Sequence, residues 1–424
     1  MVEIVELDNG VRIIYEHMNE VKSVAMGAFI KVGSRYEALE WEGASHFVEH
    51  MLFKGTDRFN AQELVEAFEN LGGQLNAFTT REYTCVYGRT LDEDVLKGLD
   101  IILDMLFVSQ FAEQEFNLEK KVILEEIKMY EDTPDELIHD VFNQHFFTGH
   151  RLGHSILGTV DTITQITRDD LYQYYQDFYQ PQNMVIALAG RFDIKPIQDY
   201  LQEYFKDKAN QGAVNALPEH FTYSPFNKAV SKQVEQVQIC VGVPGMSYFD
   251  SRRSAFSLLN NMLGGGMSAR LFQSLREKRG LAYSVYSYGS AYADAGLYSI
   301  YAGVSSERVG EFFAALKEEL TDFVEQGIRE QELARAKQMF KASLYMGMES
   351  VSSRMNRIGK RLLLQNDYCA PETLVKEAYA VNSDDVQDLS RSLLQTSPVS
   401  LAAIANPNVL DKVQREFSRY FAQS

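Results

Sequence analysis

The feature that most constrains the fold is an order of strands and helices that occurs twice along the 424-residue chain. In the first half, the strands VRIIYEH and SVAMGAFIKVGSR precede two helices. The strands QLNAFTTRE and YTCVYGRTL then precede an amphipathic helix over 92–107. In the second half, the strand QVQICVGVPG precedes two helices, and the strands AYSVYSYGSAY and GLYSIYAGVS precede the helix VGEFFAALKEELTDFVEQG. The match lies in the pattern rather than in residue identity, and it indicates an ancient duplication.

Strand pairs interleaved with helices predict an α+β fold with two homologous half-chain domains. Each domain should contain a mainly antiparallel sheet with helices packed on one face. The segment 206–231 mixes polar, Gly and Pro residues without sustained periodicity, and we interpret it as a linker. The predicted domains are therefore 1–205 and 232–424.

Charge and cysteine content bear on the class of protein and its compartment. The chain has 41 basic and 59 acidic residues, a net charge of −18, which argues against general nucleic-acid binding because a polyanion would be repelled. No run approaches the roughly 18 apolar residues that a membrane span requires, and the acidic N-terminus does not read as a secretory signal. The three cysteines, Cys85, Cys240 and Cys369, fit no metal-ligand spacing and are interpreted as free, buried thiols. These observations predict a cytoplasmic protein without a membrane span.

Two of the eight histidines lie one helical turn apart in the stretch ASHFVEHMLFKGT, residues 44–56. A helix advances about 100° per residue, so His46 and His50 point the same way and Glu49 lies between them. Two imidazoles at this spacing can bind one metal ion, and the carboxylate can take a proton from water that the metal has made acidic. The alternative, two core histidines without a metal, would leave Glu49 buried without a partner. We therefore predict a zinc site here.

A hydrolytic zinc site needs a third protein ligand, and the helix EQEFNLEKKVILEEIKMYEDTPDE is the best source of one. Its mainly apolar stripe carries two glutamates and comprises Phe116, Glu119, Ile123, Glu126, Ile127 and Tyr130. Periodicity does not exclude Glu125 on the adjacent face, and exposed glutamates on a solvated helix remain an alternative.

With the motifs GSRYE, NAFTTREYT, FYQPQNMVIALAG and LREKRGLAYSVYS, the sequence resembles the pitrilysin or insulinase family of zinc peptidases. It is most similar to the bacterial-type branch that is related to the mitochondrial processing peptidases. The resemblance implies that His46, His50 and Glu126 bind Zn²⁺ and that Glu49 is the general base. It also implies that Glu119 is a supporting carboxylate near the metal.

The resemblance extends to residues that contact substrate. Arg276 and Tyr283 match an Arg and a Tyr of the family that approach the scissile bond, where they would assist catalysis. Asn76, Ala77 and Phe78 match an edge strand that binds the peptide by strand addition. The implied reaction is hydrolysis of peptide bonds in unfolded peptides or extended protein segments. The net charge of −18 adds an expected preference for cationic peptides.

The same resemblance bears on assembly. The family encloses its substrate with four domains of this kind, whereas this chain supplies two, so a dimer is expected. A homodimer in which Arg276 and Tyr283 serve the partner's zinc is the simplest form, and a heterodimer with a related chain is the other. The alternative function is that of a non-catalytic or partner-dependent structural subunit of a processing complex.

Overall fold

Two β-sheets organise the part of the chain that the computed structural model describes, residues 2–8, 10–206, 208 and 221–421. Each sheet belongs to one of two compact units. The first unit comprises Met1–Lys128, His154–Leu217 and Met346–Tyr368. The second unit comprises Met129–Gly153, Pro218–Tyr345 and Cys369–Ser424. The predicted fold class is confirmed, because both sheets are mixed but mainly antiparallel and both carry helices.

The strands of the described residues are β1 (Val2–Glu6), β2 (Arg12–His17), β3 (Ser23–Ile30), β4 (Gln74–Thr79), β5 (Thr84–Leu91), β6 (Met184–Gly190), β7 (Asn227–Ser231), β8 (Val237–Pro244), β9 (Ala282–Ala291), β10 (Gly296–Val304) and β11 (Ser400–Ala405). The helices are α1 (Ala44–Leu52), α2 (Ala61–Glu69), α3 (Val95–Phe107), α4 (Glu113–Glu131), α5 (Pro134–Phe146), α6 (Val160–Gln165), α7 (Arg168–Phe178), α8 (Ile194–Tyr204), α9 (Arg253–Leu263), α10 (Val309–Glu325), α11 (Glu330–Gly347), α12 (Val351–Gln365), α13 (Pro371–Ala380), α14 (Ser383–Ser390) and α15 (Leu410–Phe421).

In the first unit, the strand order is β1-β2-β6-β3-β5-β4, with only β2 and β6 running parallel. Side chains alternate across β2, so Ile13 and Tyr15 face one core while Ile14 faces another. The larger core lies under α1, α3, α4 and α7, all from the first half of the sequence. The predicted strand MVIALAG is β6, and all of its residues are buried.

The opposite face of this sheet is covered by α12, a helix from the second half of the sequence. Its residues Val351, Met355, Ile358 and Leu362 are buried against β2, β3 and β6. The structure thus adds one helix to the face that the sequence-based description left open.

The second unit repeats this plan with a sheet ordered β7-β11-β8-β10-β9. One face packs against α9 and α10, as predicted from the sequence pattern. The other face is covered by α5, a helix from the first half, through Ile138, Phe142 and Phe146. The apolar side of α5 thereby buries against β8 and β11.

The compact units differ from the sequence-based domains 1–205 and 232–424 in two segments, because α5 and α12 each pack on a sheet built from the other half. In the predicted linker, 207 and 209–220 lie outside the described residues. Residues Asn227–Ser231 of that range form β7, which pairs in parallel with β11. The three cysteines, all among the described residues, form no disulfide. Cys85 and Cys240 are buried, whereas Cys369 is only half-buried.

Within the described residues, no helix is both long enough and apolar enough to cross a membrane.

Candidate metal centre

Helix α1 positions the two histidines of the HxxEH motif, and its N-terminus is fixed from upstream. Gly43 precedes the helix with φ of +96°, a conformation that favours glycine, and it has no side chain with which to cap the helix. The Glu37 carboxylate instead accepts hydrogen bonds from the N–H groups of Gly43, at 2.8 Å, and Ser45, at 2.7 Å. The backbone of His46, the third residue of α1, is therefore held in place.

Three side chains converge where α1 meets α4. Glu126 Oε2 lies 3.9 Å from His46 Nε2 and 3.6 Å from His50 Nε2. One ligand atom from each of these residues lies within 4.8 Å of the others, the one such His/Cys/Asp/Glu cluster among the described residues. Glu125, which the sequence pattern left open as a ligand, is exposed and pairs with Lys128 at 2.6 Å. The structure therefore brings Glu126, and not Glu125, to the two histidines.

A second carboxylate determines which nitrogen of His50 is free. His50 Nδ1 donates a hydrogen bond to Glu119 Oε2 at 2.9 Å, because the acceptor is a carboxylate oxygen. The other oxygen of Glu119 pairs with Lys54 Nζ at 2.7 Å, and Glu119 is buried. With the proton on Nδ1, the lone pair of His50 Nε2 points to Glu126.

His46 is buried, and burial with the nearby His50 lowers its pKa to about 3. Its imidazole is therefore neutral near neutral pH, the form that binds metals. Zinc prefers imidazole nitrogen and carboxylate oxygen, and tetrahedral bonds of about 2.0–2.1 Å place ligand atoms roughly 3.3 Å apart. The observed separations of 3.6 and 3.9 Å exceed this by only a few tenths of an ångström. The three residues therefore fit a zinc ion in donor type, and their ligand atoms all lie within 4.8 Å of one another.

Glu49 lies on the same helix and is held by the edge strand of the sheet. Thr79 Oγ1, in the last residue of β4, donates a hydrogen bond to Glu49 Oε2 at 2.5 Å. Burial raises the pKa of Glu49, and this hydrogen bond opposes the rise. A half-buried carboxylate with one oxygen held and a raised pKa has the properties of a general base.

Strand β4 carries the predicted peptide-binding residues and ends the sheet, since among the described residues it pairs only with β5. Asn76 is exposed, and its Oδ1 accepts a hydrogen bond from the Ala77 N–H at 2.8 Å. Phe78 is half-buried and packs edge-on against the rings of Tyr83 and Tyr87. The strand therefore has a free edge to which an extended peptide can add.

Arg276 and Tyr283 belong to the second unit, whereas the metal cluster belongs to the first. Arg276 belongs to a π-helical segment, Phe272–Lys278, and Tyr283 is the second residue of β9. The guanidinium lies 5.3 Å from the centre of the Tyr283 ring, and Tyr283 is 74% exposed. The structure thus brings these two residues together as an accessible pair.

Three residues that hold parts of the metal centre in place were not predicted from the sequence: Thr79, Lys54 and Glu37. Thr79 lies within NAFTT, a motif that the sequence assigned to strand addition through its backbone and not to a hydroxyl contact. Lys54 follows His50 by four residues and lies just beyond the end of α1. Glu37 ends GSRYE, where an acidic residue upstream of a glycine-initiated helix was the available signal.

Comparisons with known proteins identify relatives of this chain. Residues 12–160 match the family model described as Insulinase (Peptidase family M16), and residues 165–340 match the Peptidase M16 inactive domain. The uncharacterized zinc protease YmxG of Bacillus subtilis is 42% identical over 399 residues, covering 94% of this chain and 96% of the relative. An uncharacterized zinc protease of Streptomyces coelicolor is 38% identical, covering 94% of this chain and 88% of the relative.

Solved structures share the fold. A protease from Helicobacter pylori superposes with a TM-score of 0.88 at 22% identity, covering 96% of this chain and 99% of the other. A peptidase M16 inactive domain from Pseudomonas fluorescens gives a TM-score of 0.88 at 18% identity, covering 96% of this chain and 98% of the other.

Proposed function

Because the chain belongs to the insulinase family of peptidases, family M16, we propose that it is a zinc-dependent endopeptidase that cleaves unfolded peptides or extended protein segments. The observation that carries the proposal is the convergence of His46, His50 and Glu126 beside Glu49. Relatives of the chain are named zinc proteases, which supports zinc as the proposed metal.

His46, His50 and Glu126 would hold the zinc, and Glu119 would fix the tautomer and orientation of His50. A zinc ion bound there supplies Lewis acidity, which lowers the pKa of water and polarises a carbonyl oxygen. Glu119 is buried and bonded to both His50 and Lys54, so it is not itself positioned as a fourth ligand. Carboxylates in this place typically hold a ligating histidine in its binding orientation.

Glu49 is the general base of the proposed reaction. It takes a proton from the attacking water and delivers it to the nitrogen of the leaving amine. Its raised pKa suits both steps, because the carboxylate must accept a proton and then release it. The Thr79 hydroxyl holds one carboxylate oxygen, which leaves the other for the proton transfer.

Substrate would bind by adding a strand at the free edge of β4. Backbone groups of Asn76, Ala77 and Phe78 would bond the peptide, so recognition depends little on its sequence. Arg276 and Tyr283 would donate hydrogen bonds to the scissile carbonyl and stabilise the oxyanion that develops there. The net charge of −18 favours cationic peptides over acidic ones of the same length.

We further propose that the working form is a homodimer in which Arg276 and Tyr283 serve the partner's metal centre. Two inactive variants, Glu49→Gln and Arg276→Ala, should regain activity when their chains are mixed and allowed to exchange. Each mixed dimer then contains one centre with both residues intact. Inactive dimers after verified exchange would rule out action in trans, and a requirement for a related chain would instead identify a heterodimer.

The deciding experiment is cleavage of a library of unstructured peptides by the purified chain, with bound zinc quantified in parallel. Wild type should cleave in a chelator-sensitive manner, and Glu49→Gln should lose cleavage while it keeps about one zinc per chain. The matched control is Glu125→Gln on exposed α4 surface, which should cleave like wild type. Zinc binding without cleavage by wild type would instead favour a partner-dependent or structural subunit.

A further inference from the structure

The segment 33–37 is fastened at its first end to the turn that follows β4. Gly33 approaches this turn so closely that a Cβ atom there would lie 2.1 Å from the Thr80 carbonyl oxygen. The Arg35 N–H donates to the Arg81 carbonyl at 2.9 Å, and the Arg35 guanidinium donates to Glu82 at 2.7 Å. The side chains of Arg35 and Glu82 are only 6% and 4% exposed. A charged hydrogen bond so shielded from water holds the segment firmly to the turn.

The same segment is fastened at its other end to α1. Glu37 is fully buried, and its two carboxylate oxygens each accept one N–H, from Gly43 and from Ser45. Ser45 in turn exchanges a hydrogen bond with the Tyr174 hydroxyl at 2.8 Å. An N-cap normally comes from the residue directly before a helix, but here the acceptor lies six residues upstream of Gly43. The N-terminus of α1 is therefore held directly by the Glu37 carboxyl group of this segment.

We propose that segment 33–37 is a brace that sets the position of strand β4 relative to helix α1. Glu37 is the positioning residue for the metal ligands of α1, and the Arg35–Glu82 pair is the positioning element for β4. The inference rests on the proposed function, because it assigns the joined elements to zinc and to peptide.

The relative position of β4 and α1, the two elements that the brace joins, can vary only slightly. Thr79, at the end of β4, donates its 2.5 Å hydrogen bond to Glu49 of α1. A shift of β4 by about 1 Å would break this contact, and misplacement of that size can cost roughly a hundredfold in rate. Segment 33–37 bonds to both elements, through Glu37 to the start of α1 and through Arg35 to the turn after β4.

The helix end of the brace is tested by Glu37→Gln in the full chain. The amide nitrogen cannot accept a hydrogen bond, so one N–H of α1 loses its partner. We expect zinc affinity, measured by competition with a chelator, to fall about tenfold. Glu40→Gln, the same change at an exposed position in the same loop, should stay within about twofold of wild type. A lower melting temperature with unchanged zinc affinity would overturn the proposal, because it would show a stabilising role alone.

The strand end is tested by Glu82→Gln and by the double variant Arg35→Met/Glu82→Met. The double variant removes both charges of the buried pair together, so neither is left facing an apolar partner. We expect both variants to bind zinc within about twofold of wild type while kcat/KM for an unstructured peptide falls about tenfold. Equal losses of zinc affinity at both ends would overturn the division of roles.

Failure of the brace can be told apart from failure of the proposed function. If zinc-loaded wild type cleaves no peptide, the proposed function fails, yet zinc affinity of Glu37→Gln still decides the helix end. Hydrogen exchange of the β4 amides then decides the strand end. Faster exchange in the double variant supports the brace, and unchanged exchange rules it out.

Discussion

Glu119 Oε2 lies 2.9 Å from His50 Nδ1, and this contact determines which ring nitrogen of His50 carries the proton. Because Nδ1 carries the donated proton, Nε2 keeps its lone pair and faces Glu126 at 3.6 Å. Lys54 holds the far oxygen of Glu119 at 2.7 Å, so the carboxylate cannot rotate away. A three-residue chain from Lys54 to His50 thus prepares one imidazole for a metal ion.

The variant Glu119→Gln should weaken zinc binding by roughly 10- to 100-fold. The amide loses the negative charge that attracts the Nδ1 proton, and it leaves Lys54 without its anion. Chelator competition on the purified chain measures the effect. Glu113→Gln, an exposed glutamate on the same helix, serves as the control. Equal zinc affinities for both variants would contradict the role assigned to Glu119.

Replacement of Glu126 should remove the metal, whereas replacement of its neighbour Glu125 should not. Glu126 supplies the one carboxylate of the described cluster, and Glu125 is exposed beside Lys128. We expect Glu126→Gln to purify with much less than one zinc per chain and Glu125→Gln with about one. Metal analysis after dialysis gives the answer. Full zinc content in Glu126→Gln would show that another residue completes the site.

Loss of the Thr79 hydroxyl should lower turnover without loss of metal. Thr79→Val keeps the shape of the side chain but removes the donor to Glu49. We expect kcat to fall about tenfold while zinc content is unchanged, because the base is no longer held in place. Thr79→Ser keeps the hydroxyl and should retain most of the activity. If Thr79→Val and Thr79→Ser have the same kcat, the hydroxyl has no part in positioning Glu49.

The histidine pair was predictable because its geometry is local. Four residues along one helix determine that His46 and His50 share a face, whatever the helix packs against. The choice between Glu125 and Glu126 was not determined in this way, since Glu126 lies on the apolar stripe of α4 and Glu125 on the adjacent face. Only the packing of α4 on α1 selects Glu126. The resemblance to a family gave the same residue by position, without the physical reason.

The sheet partners of α5 and α12 could not be predicted from periodicity. An apolar stripe such as Val351, Met355 and Ile358 shows which side of a helix is buried, but it does not name the surface that covers it. The strands were easier, because alternation and turn residues are local signals, and β5 and β10 lie where the pattern placed them. Contacts such as Arg35–Glu82 join residues 47 positions apart, and no local pattern specifies them.

The packing of α12 on the first sheet predicts that adding a side chain at Gly359 destabilises the fold. A Cβ atom at this position would lie 2.3 Å from the Phe29 ring and 2.8 Å from Ala187 Cβ. Gly359→Ala should therefore lower the free energy of unfolding by about 1–3 kcal/mol, although alanine favours helix. Denaturant unfolding measures the difference. The control is Gly347→Ala, also helical, where an added Cβ atom would meet nothing within 4 Å among the described residues and should not destabilise the fold.

Glu37 should make stability depend on pH in a direction opposite to that of most carboxylates. Burial, with Glu42 nearby, raises its pKa from 4.5 to about 7, although the N–H groups of Ser45 and Gly43 oppose the rise. Between these values the folded protein holds a proton that the unfolded chain has released. The stability that Glu37 contributes is therefore complete below pH 4.5 and is lost as pH rises through about 7. At about 1.4 kcal/mol per pKa unit, the whole change is roughly 3 kcal/mol. At each pH the free energy of unfolding of metal-free wild type is compared with that of Glu37→Gln, from acid to neutral pH. This comparison isolates Glu37 because the other titrations cancel.

The excess stability of wild type over the variant should shrink as pH rises. A difference that stays constant across this range would show that the Glu37 carboxyl keeps an ordinary pKa in the folded chain.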